Sequence, residues 1–225
     1  MIIDFENSHI DLIPTKIIAL ARNYKAHAAE MGSPVPEEPT IFLKPPSSLI
    51  GNGGVVILPS VSRRVDHEVE LAVIMKTRCH QVSSENAREY ILGYSVLVDV
   101  TARDIQAEAK KKGISWAVAK GFDTFAPLGP RVVPATALNP RTCDIWLKVN
   151  GESRQQGNTG DMIFPVEDLI SHISTIMTLE PMDIIATGTP EGVGPMQDGD
   201  NIEAGIEGIG TLTFTAHRGG TMNPE

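Results

Sequence analysis

The segment His67-Glu68-Val69-Glu70-Leu71 sets two carboxylates two residues apart within an apolar run that also holds Val65, Ala72, Val73, Ile74 and Met75. Side chains in a strand alternate with a period of two, so Glu68 and Glu70 are predicted to share one face. Two like charges side by side repel each other and lose hydration, and a cation between them offsets both effects. Asp99 closes a second apolar run, Gly93-Tyr94-Ser95-Val96-Leu97-Val98-Asp99-Val100, and offers a third oxygen from a neighbouring strand. Carboxylate oxygens without a nearby cysteine suit a hard ion such as Mg²⁺ or Mn²⁺. A Glu-x-Glu pair also describes the wet face of an edge strand. The carboxylate that ends an apolar run favours the cation. A zinc-protease His-Glu-x-x-His helix is excluded, because Leu71 stands at the second His position.

His27 and Glu30 are three residues apart on a predicted helix and share a face. A carboxylate that orients an imidazole and stabilises its protonated form makes a water-activating pair; the same spacing also describes an ordinary surface pair. Arg22, Asn23 and Tyr24 precede it where a strand hands over to the helix, a place often used for sites. Arg103, Asp104 and Gln106 follow Asp99 within two turns. Lys120 follows Trp116-Ala117-Val118-Ala119, where it could serve catalysis or pair with an acid. The Gly-rich stretch 187–194 lacks the Lys-Ser/Thr ending of a phosphate loop and is read as a tight loop, from which Thr189 could point into a pocket. No Ser or Cys nucleophile motif is present.

The elements that must position these groups are mostly strands. Strands are predicted over 15–21, 40–44, 55–58, 64–76 and 92–100, and in the tail over 183–187, 201–204 and 210–216. A hairpin is predicted over 144–149 and 152–156, with Asn150-Gly151 as a type I′ turn. Short helices are expected at 23–31, from a Ser84 cap to 90, from a Thr101 cap over 102–112 with Gly113 as stop, and from Pro165 to about 177. Roughly nine strands against four short helices, without regular strand–helix alternation, predict a mostly β, α+β domain.

The 225 residues carry 19 basic and 28 acidic side chains, a net charge of −9. That balance, without a basic run, argues against nucleic acid as a partner. Cys79 and Cys143 have no metal-type spacing, and low cysteine use points to a reducing compartment. No secretory n-region and no apolar run near ~20 residues is found, so a cytoplasmic protein without membrane attachment is expected.

Several segments together resemble the fumarylacetoacetate hydrolase family: Arg22-Asn23-Tyr24-Lys25-Ala26-His27-Ala28-Ala29-Glu30-Met31, Phe42-Leu43-Lys44-Pro45, His67-Glu68-Val69-Glu70-Leu71 and Asp99-Val100-Thr101-Ala102-Arg103-Asp104. The series continues in order through Lys111-Lys112-Gly113, Ala119-Lys120, Trp146-Leu147-Lys148-Val149-Asn150-Gly151, Asp161-Met162-Ile163-Phe164 and the loop from Thr187 to Pro195. The chain is most similar to the short, single-domain acylpyruvate hydrolase and oxaloacetate decarboxylase branch. The resemblance implies a mixed β-roll or β-sandwich, with 1–15 as an N-terminal extension, 16–218 as the catalytic domain and 219–225 as a tail. It further implies a homodimer and Mg²⁺ or Mn²⁺ on Glu68, Glu70 and Asp99. Substrate contacts are implied at Arg22, Tyr24, Arg103, Gln106, Lys120 and Thr189, and a water-activating dyad at His27 and Glu30. The implied substrates are small 2-keto or 2,4-diketo acids. Hydrolysis of acylpyruvates stands against an oxaloacetate decarboxylase or tautomerase, or an isomerase/decarboxylase of aromatic catabolism, at the same metal site, with a non-catalytic binding protein as a third reading.

Overall fold

The computed structural model describes residues 1–219, so the expected tail at 219–225 lies outside the described residues except for its first member. Two large sheets dominate. One has eight strands in the order Ser8–Asp11, Ile2–Phe5, Arg131–Pro134, Ile91–Val98, Val69–Met75, Ile184–Ala186, Ile17–Ala21 and Thr40–Lys44. The other has five, in the order Glu152–Asn158, Asp144–Val149, Asn201–Ile206, Gly210–Arg218 and Val55–Leu58. A three-stranded ribbon, Thr101–Ala102, Val65–His67 and Gly194–Pro195, sits beside them. Among the described residues there are four α-helices: α1 Lys25–Glu30, α2 Arg103–Lys112, α3 Ala117–Lys120 and α4 Val166–Ile176. This is the predicted mostly β, α+β class with mixed sheets. None of these helices is long and apolar enough to cross a membrane.

The central strands of the eight-stranded sheet, Ile91–Val98, Val69–Met75, Ile184–Ala186 and Ile17–Ala21, are buried on both faces. Val69, Leu71, Val73 and Met75 point into the larger core, shared with Ile145, Leu147 and Ile202 of the five-stranded sheet and with Leu169 and Ile173 of α4. The alternate residues Ala72 and Ile74 join Ile17, Ala19, Leu97 and Ile184 in a second cluster on the opposite face. Strands covered on both sides read as continuous apolar runs, as these do.

Several local expectations are corrected. The predicted strand 64–76 breaks at Glu68 into Val65–His67 and Val69–Met75, which belong to different sheets. Thr101 does not cap α2; it lies in a short strand, and its hydroxyl donates to the carbonyl of Asp99. Gly113 ends α2 in the left-handed conformation, as predicted. Ser84 begins no α-helix: a 3₁₀ turn, Ala87–Tyr90, follows Asn86 instead. Asn150 and Gly151 both have positive φ, as a type I′ turn requires. Within residues 1–15, expected as an N-terminal extension, the strands Ile2–Phe5 and Ser8–Asp11 lie at the edge of the large sheet. Cys79 and Cys143 are both buried and unpaired.

Candidate active site

Glu68, Glu70 and Asp99 are buried and each brings one oxygen within 4.8 Å of the others. The backbone explains the convergence. Val69 pairs with Val98 across antiparallel neighbours, and the Asp99 N–H donates to the Glu68 carbonyl at 2.8 Å. Glu70 keeps the parity of Ala72 and Ile74, so its carboxylate ends the smaller core cluster.

Two lysines and an arginine surround the carboxylates. Lys120 Nζ donates to Glu68 Oε2 at 2.9 Å and to Asp99 Oδ2 at 2.5 Å. Lys44 Nζ lies 2.7 Å from Asp99 Oδ1 but off the line of a hydrogen bond, so that oxygen keeps a free lone pair. Arg103 donates from Nη2 to Glu68 Oε1, and from Nε to Asp66 Oδ2 at 2.8 Å. Burial opposes charge on Glu68, yet Lys120 and Arg103 prevail and hold its carboxyl well below the usual range. Glu70 is different. Its one hydrogen bond is from the Gly188 N–H, at 2.7 Å. Burial first, then the charges of Asp99 and Glu68, push its pKa well above the usual range. Three converging hard oxygens, one of them short of positive charge, fit a divalent ion of the Mg²⁺ or Mn²⁺ kind.

Glu68 opens onto a cavity of about 250 Å³ lined also by Leu20, Ala21, Arg22, His27, Met31, Ser33, Phe42, Arg103, Gln106, Lys110, Trp116 and Lys120. Arg22 adopts a left-handed backbone with φ 61°, uncommon for a side chain of its size, and its buried Nε has no partner. His27 Nδ1 lies 3.1 Å from Glu30 Oε2, the imidazole being buried and the carboxylate one-third exposed.

Loop 187–194 ties these parts together. Its Gly188 N–H holds Glu70, and its Gly192 N–H donates to Glu30 Oε1 at 3.0 Å. Gln155 pins the middle, donating to Thr189 Oγ1 at 2.8 Å and to the Pro190 carbonyl at 3.0 Å. Its Oε1 accepts from the Val69 N–H, between the two glutamates, at 3.1 Å and contacts His67 Nδ1 at 3.0 Å. Asn23 closes the set, bonding Thr187 and Phe164.

The residues predicted from sequence are thus placed as follows. Arg22, His27, Glu68, Arg103, Gln106 and Lys120 share the cavity wall, with Glu70 and Asp99 behind Glu68 and Glu30 behind His27. Tyr24 and Thr189 do not line it. Tyr24 is buried with its hydroxyl unpartnered and borders a separate hollow with Asp161 and Glu191. Thr189 is buried and engaged by Gln155. Lys44, Asp66 and Gln155 were missed. Lys44 had a signal, a lysine closing an apolar strand; Gln155, within the polar run Glu152–Asn158, had none.

The chain is similar to several known proteins. Residues 16–216 match the profile of the fumarylacetoacetate (FAA) hydrolase C-terminal family. The chain is 50% identical over 204 residues to the mitochondrial oxaloacetate tautomerase FAHD1 of Arabidopsis thaliana, covering 91% of this chain and 92% of that protein. A fumarylpyruvate hydrolase from Pseudomonas aeruginosa, solved with Mn²⁺ and pyruvate, superposes with a TM-score of 0.89 at 32% identity, over 96% of this chain and 94% of that one. A 5-carboxymethyl-2-hydroxymuconate delta-isomerase from Mycobacterium smegmatis superposes with a TM-score of 0.84 at 45% identity, over 93% and 81%. With the matched profile spanning nearly all its sheets and every carboxylate of the buried trio, the chain belongs to the fumarylacetoacetate hydrolase family.

Proposed function

We propose that the protein is a divalent-metal-dependent hydrolase that cleaves a C–C bond in acylpyruvates to give pyruvate and a carboxylic acid. The observation that carries this reading is the His27–Glu30 pair on the wall of the same cavity that Glu68 opens onto. Only a hydrolase among the candidate reactions needs an activated water. Glu68, Glu70 and Asp99 would hold Mg²⁺ or Mn²⁺, which when bound supplies Lewis acidity toward the keto-acid half of the substrate. Arg22 and Arg103 orient the substrate carboxylate, and Gln106, which accepts from Arg103 Nη1 at 2.8 Å, fixes the guanidinium plane. His27 takes a proton from water attacking the distal carbonyl, and Glu30 orients the ring and stabilises its cationic form. Burial disfavours charge on Lys120, but Asp99 and Glu68 raise its pKa, so it stays an ammonium able to stabilise a developing oxyanion.

A second reading, an oxaloacetate tautomerase or decarboxylase at the same centre, is supported by the 50% identity to FAHD1. The His27→Ala and Glu30→Gln variants separate the two. At saturating Mn²⁺, acetylpyruvate hydrolysis is expected to fall ~10²–10⁴-fold, the span of a lost general base, with a smaller loss of oxaloacetate decarboxylation. Unchanged hydrolysis in His27→Ala would remove the dyad from the mechanism. A wild-type enzyme that interconverts keto and enol oxaloacetate but leaves acylpyruvates intact would establish the second reading. The homodimer and the cytoplasmic location belong to this proposal on family resemblance, and sedimentation and cell fractionation test them.

A further inference from the structure

Arg103, the first residue of α2, is fixed at both its ends to the segment 64–66. Its backbone N–H donates to the Arg64 carbonyl at 2.8 Å, and its side-chain Nε donates to Asp66 Oδ2 at 2.8 Å. Asp66 is buried in the middle strand of the three-stranded ribbon. It faces Thr101 on one side and Pro195, just past loop 187–194, on the other. Its carboxylate also accepts from Arg64, at Oδ1 from Nε at 2.8 Å and at Oδ2 from Nη2 at 3.1 Å. The Arg64 side chain is 52% exposed and that of Arg103 13%, so Asp66 joins an outer arginine to an inner one.

Counting donors shows what the inner arginine has left. A guanidinium carries five N–H groups. Nε serves Asp66, one N–H of Nη1 serves Gln106 Oε1 at 2.8 Å, and one of Nη2 serves Glu68 Oε1. One N–H on each Nη remains, and a carboxylate bridges such a pair with two parallel hydrogen bonds. Arg103 lines the cavity wall, where that pair can be used. Burial works against its charge, but Glu68 and Asp66 outweigh burial and hold it a cation. The two acidic anchors differ in kind. Glu68 is shared with Lys120 and belongs to the trio proposed to hold the ion, so an ion there competes with Arg103 for it. Asp66 is outside the trio and keeps the Nε edge whether or not an ion is bound.

We propose that Asp66 is a positioning residue, which pins the Nε edge of Arg103 so that the free Nη pair meets the substrate carboxylate. This rests on the reading of the cavity as a keto-acid site in which Arg103 orients that carboxylate. An unpinned arginine gives up rotamer freedom when it binds, and Asp66 removes that cost in advance.

The test compares Asp66→Leu, Asp66→Asn and Arg64→Met with the wild-type full chain, each at saturating Mn²⁺. Leu is close to Asp in shape and offers no acceptor. Asn keeps one acceptor oxygen, which half-exposed Arg64 can leave to Arg103 by turning to water. In calorimetric titration Asp66→Leu is expected to weaken oxalate binding ~10- to 100-fold, and to raise KM for acetylpyruvate by a similar factor with kcat changed less than about threefold. Asp66→Asn is expected to recover most of the loss, and Arg64→Met to show none. Unchanged oxalate affinity and KM in Asp66→Leu, or an equal loss in Arg64→Met, would overturn the positioning role while the function reading stands. NMR of the wild-type chain decides the matter even if Asp66→Leu does not fold. The Arg103 Nε–H, assigned by its loss in Arg103→Lys, is expected to exchange with water ~10-fold or more slowly than that of Arg63, whose side chain is 90% exposed. Equal exchange rates would refute the pinning. If the wild type neither binds oxalate nor turns over acetylpyruvate, the function reading fails and the positioning role falls with it.

Discussion

Glu70 is the least compensated carboxylate of the buried trio, and its protonation should be linked to metal binding. Lys120 and Arg103 hold Glu68 ionised, whereas on Glu70 the charge of Lys120 and the Gly188 N–H are outweighed by burial and two neighbouring negative charges. A raised pKa means that the proton persists to higher pH than on a free glutamate. An ion that needs the carboxylate form must displace it, so affinity rises with pH until Glu70 is ionised without help. Mn²⁺ binding near about pH 6 is expected to release up to one proton, and the release is expected to shrink as the pH is raised. Calorimetry in buffers of different ionisation enthalpy counts that proton directly. PH-independent affinity with no proton released would show that Glu70 is already charged or is not a ligand.

At the scale of elements, loop 187–194 joins the proposed metal ligands to the proposed water-activating pair. Gly192 has φ 91°, and a Cβ there would meet the Arg154 carbonyl oxygen at 2.0 Å. Only glycine fits so close to the hairpin strand Glu152–Asn158. Gly192→Ala must displace the loop and with it the N–H that holds Glu30. Hydrolysis of acetylpyruvate is expected to fall ~10–100-fold, short of the full loss of a general base, while oxaloacetate decarboxylation falls less. Equal losses for the two reactions would mean that the loop supports the whole site without distinction. The sequence could not reveal this coupling. A Gly-rich loop after a strand announces a tight turn, but not which backbone it touches, because Arg154 lies 38 residues away and joins only through tertiary packing. The same holds for Gln155, whose four partners come from two distant segments, 67–69 and 189–190. The convergence of the carboxylate trio, by contrast, was legible, since a carboxylate within an apolar strand is costly wherever the strand packs. The break at Glu68 was not, because apolar alternation continues through it and only the pairing of Val65–His67 with another sheet reveals it.

Over the whole molecule, the proposed metal site doubles as a defect in the fold. The central strands of the eight-stranded sheet are apolar on both faces, and the smaller core cluster ends on Glu70 and Asp99. Lys44 and Lys120 reduce the repulsion there, yet burial lowers the pKa of Lys44 despite the adjacent Asp99, a sign that its own desolvation is not fully offset. A divalent ion bound between these carboxylates would stabilise the folded chain alone, because the unfolded chain does not hold the three oxygens together. At about 100 times its dissociation constant an ion adds ~2.7 kcal/mol. For a chain of this size each kcal/mol raises Tm by ~2–4 °C, which gives an expected rise of about 5–10 °C with Mn²⁺ and its reversal by chelation. Asp99→Asn should lose most of that increment, because the amide oxygen is a weaker ligand, whereas Lys110→Met, outside the trio, should keep it. A Tm indifferent to Mn²⁺ in the wild-type protein would show that Lys44 and Lys120 already satisfy the carboxylates, and that the buried trio is an ion-pair network of the fold instead of a metal centre.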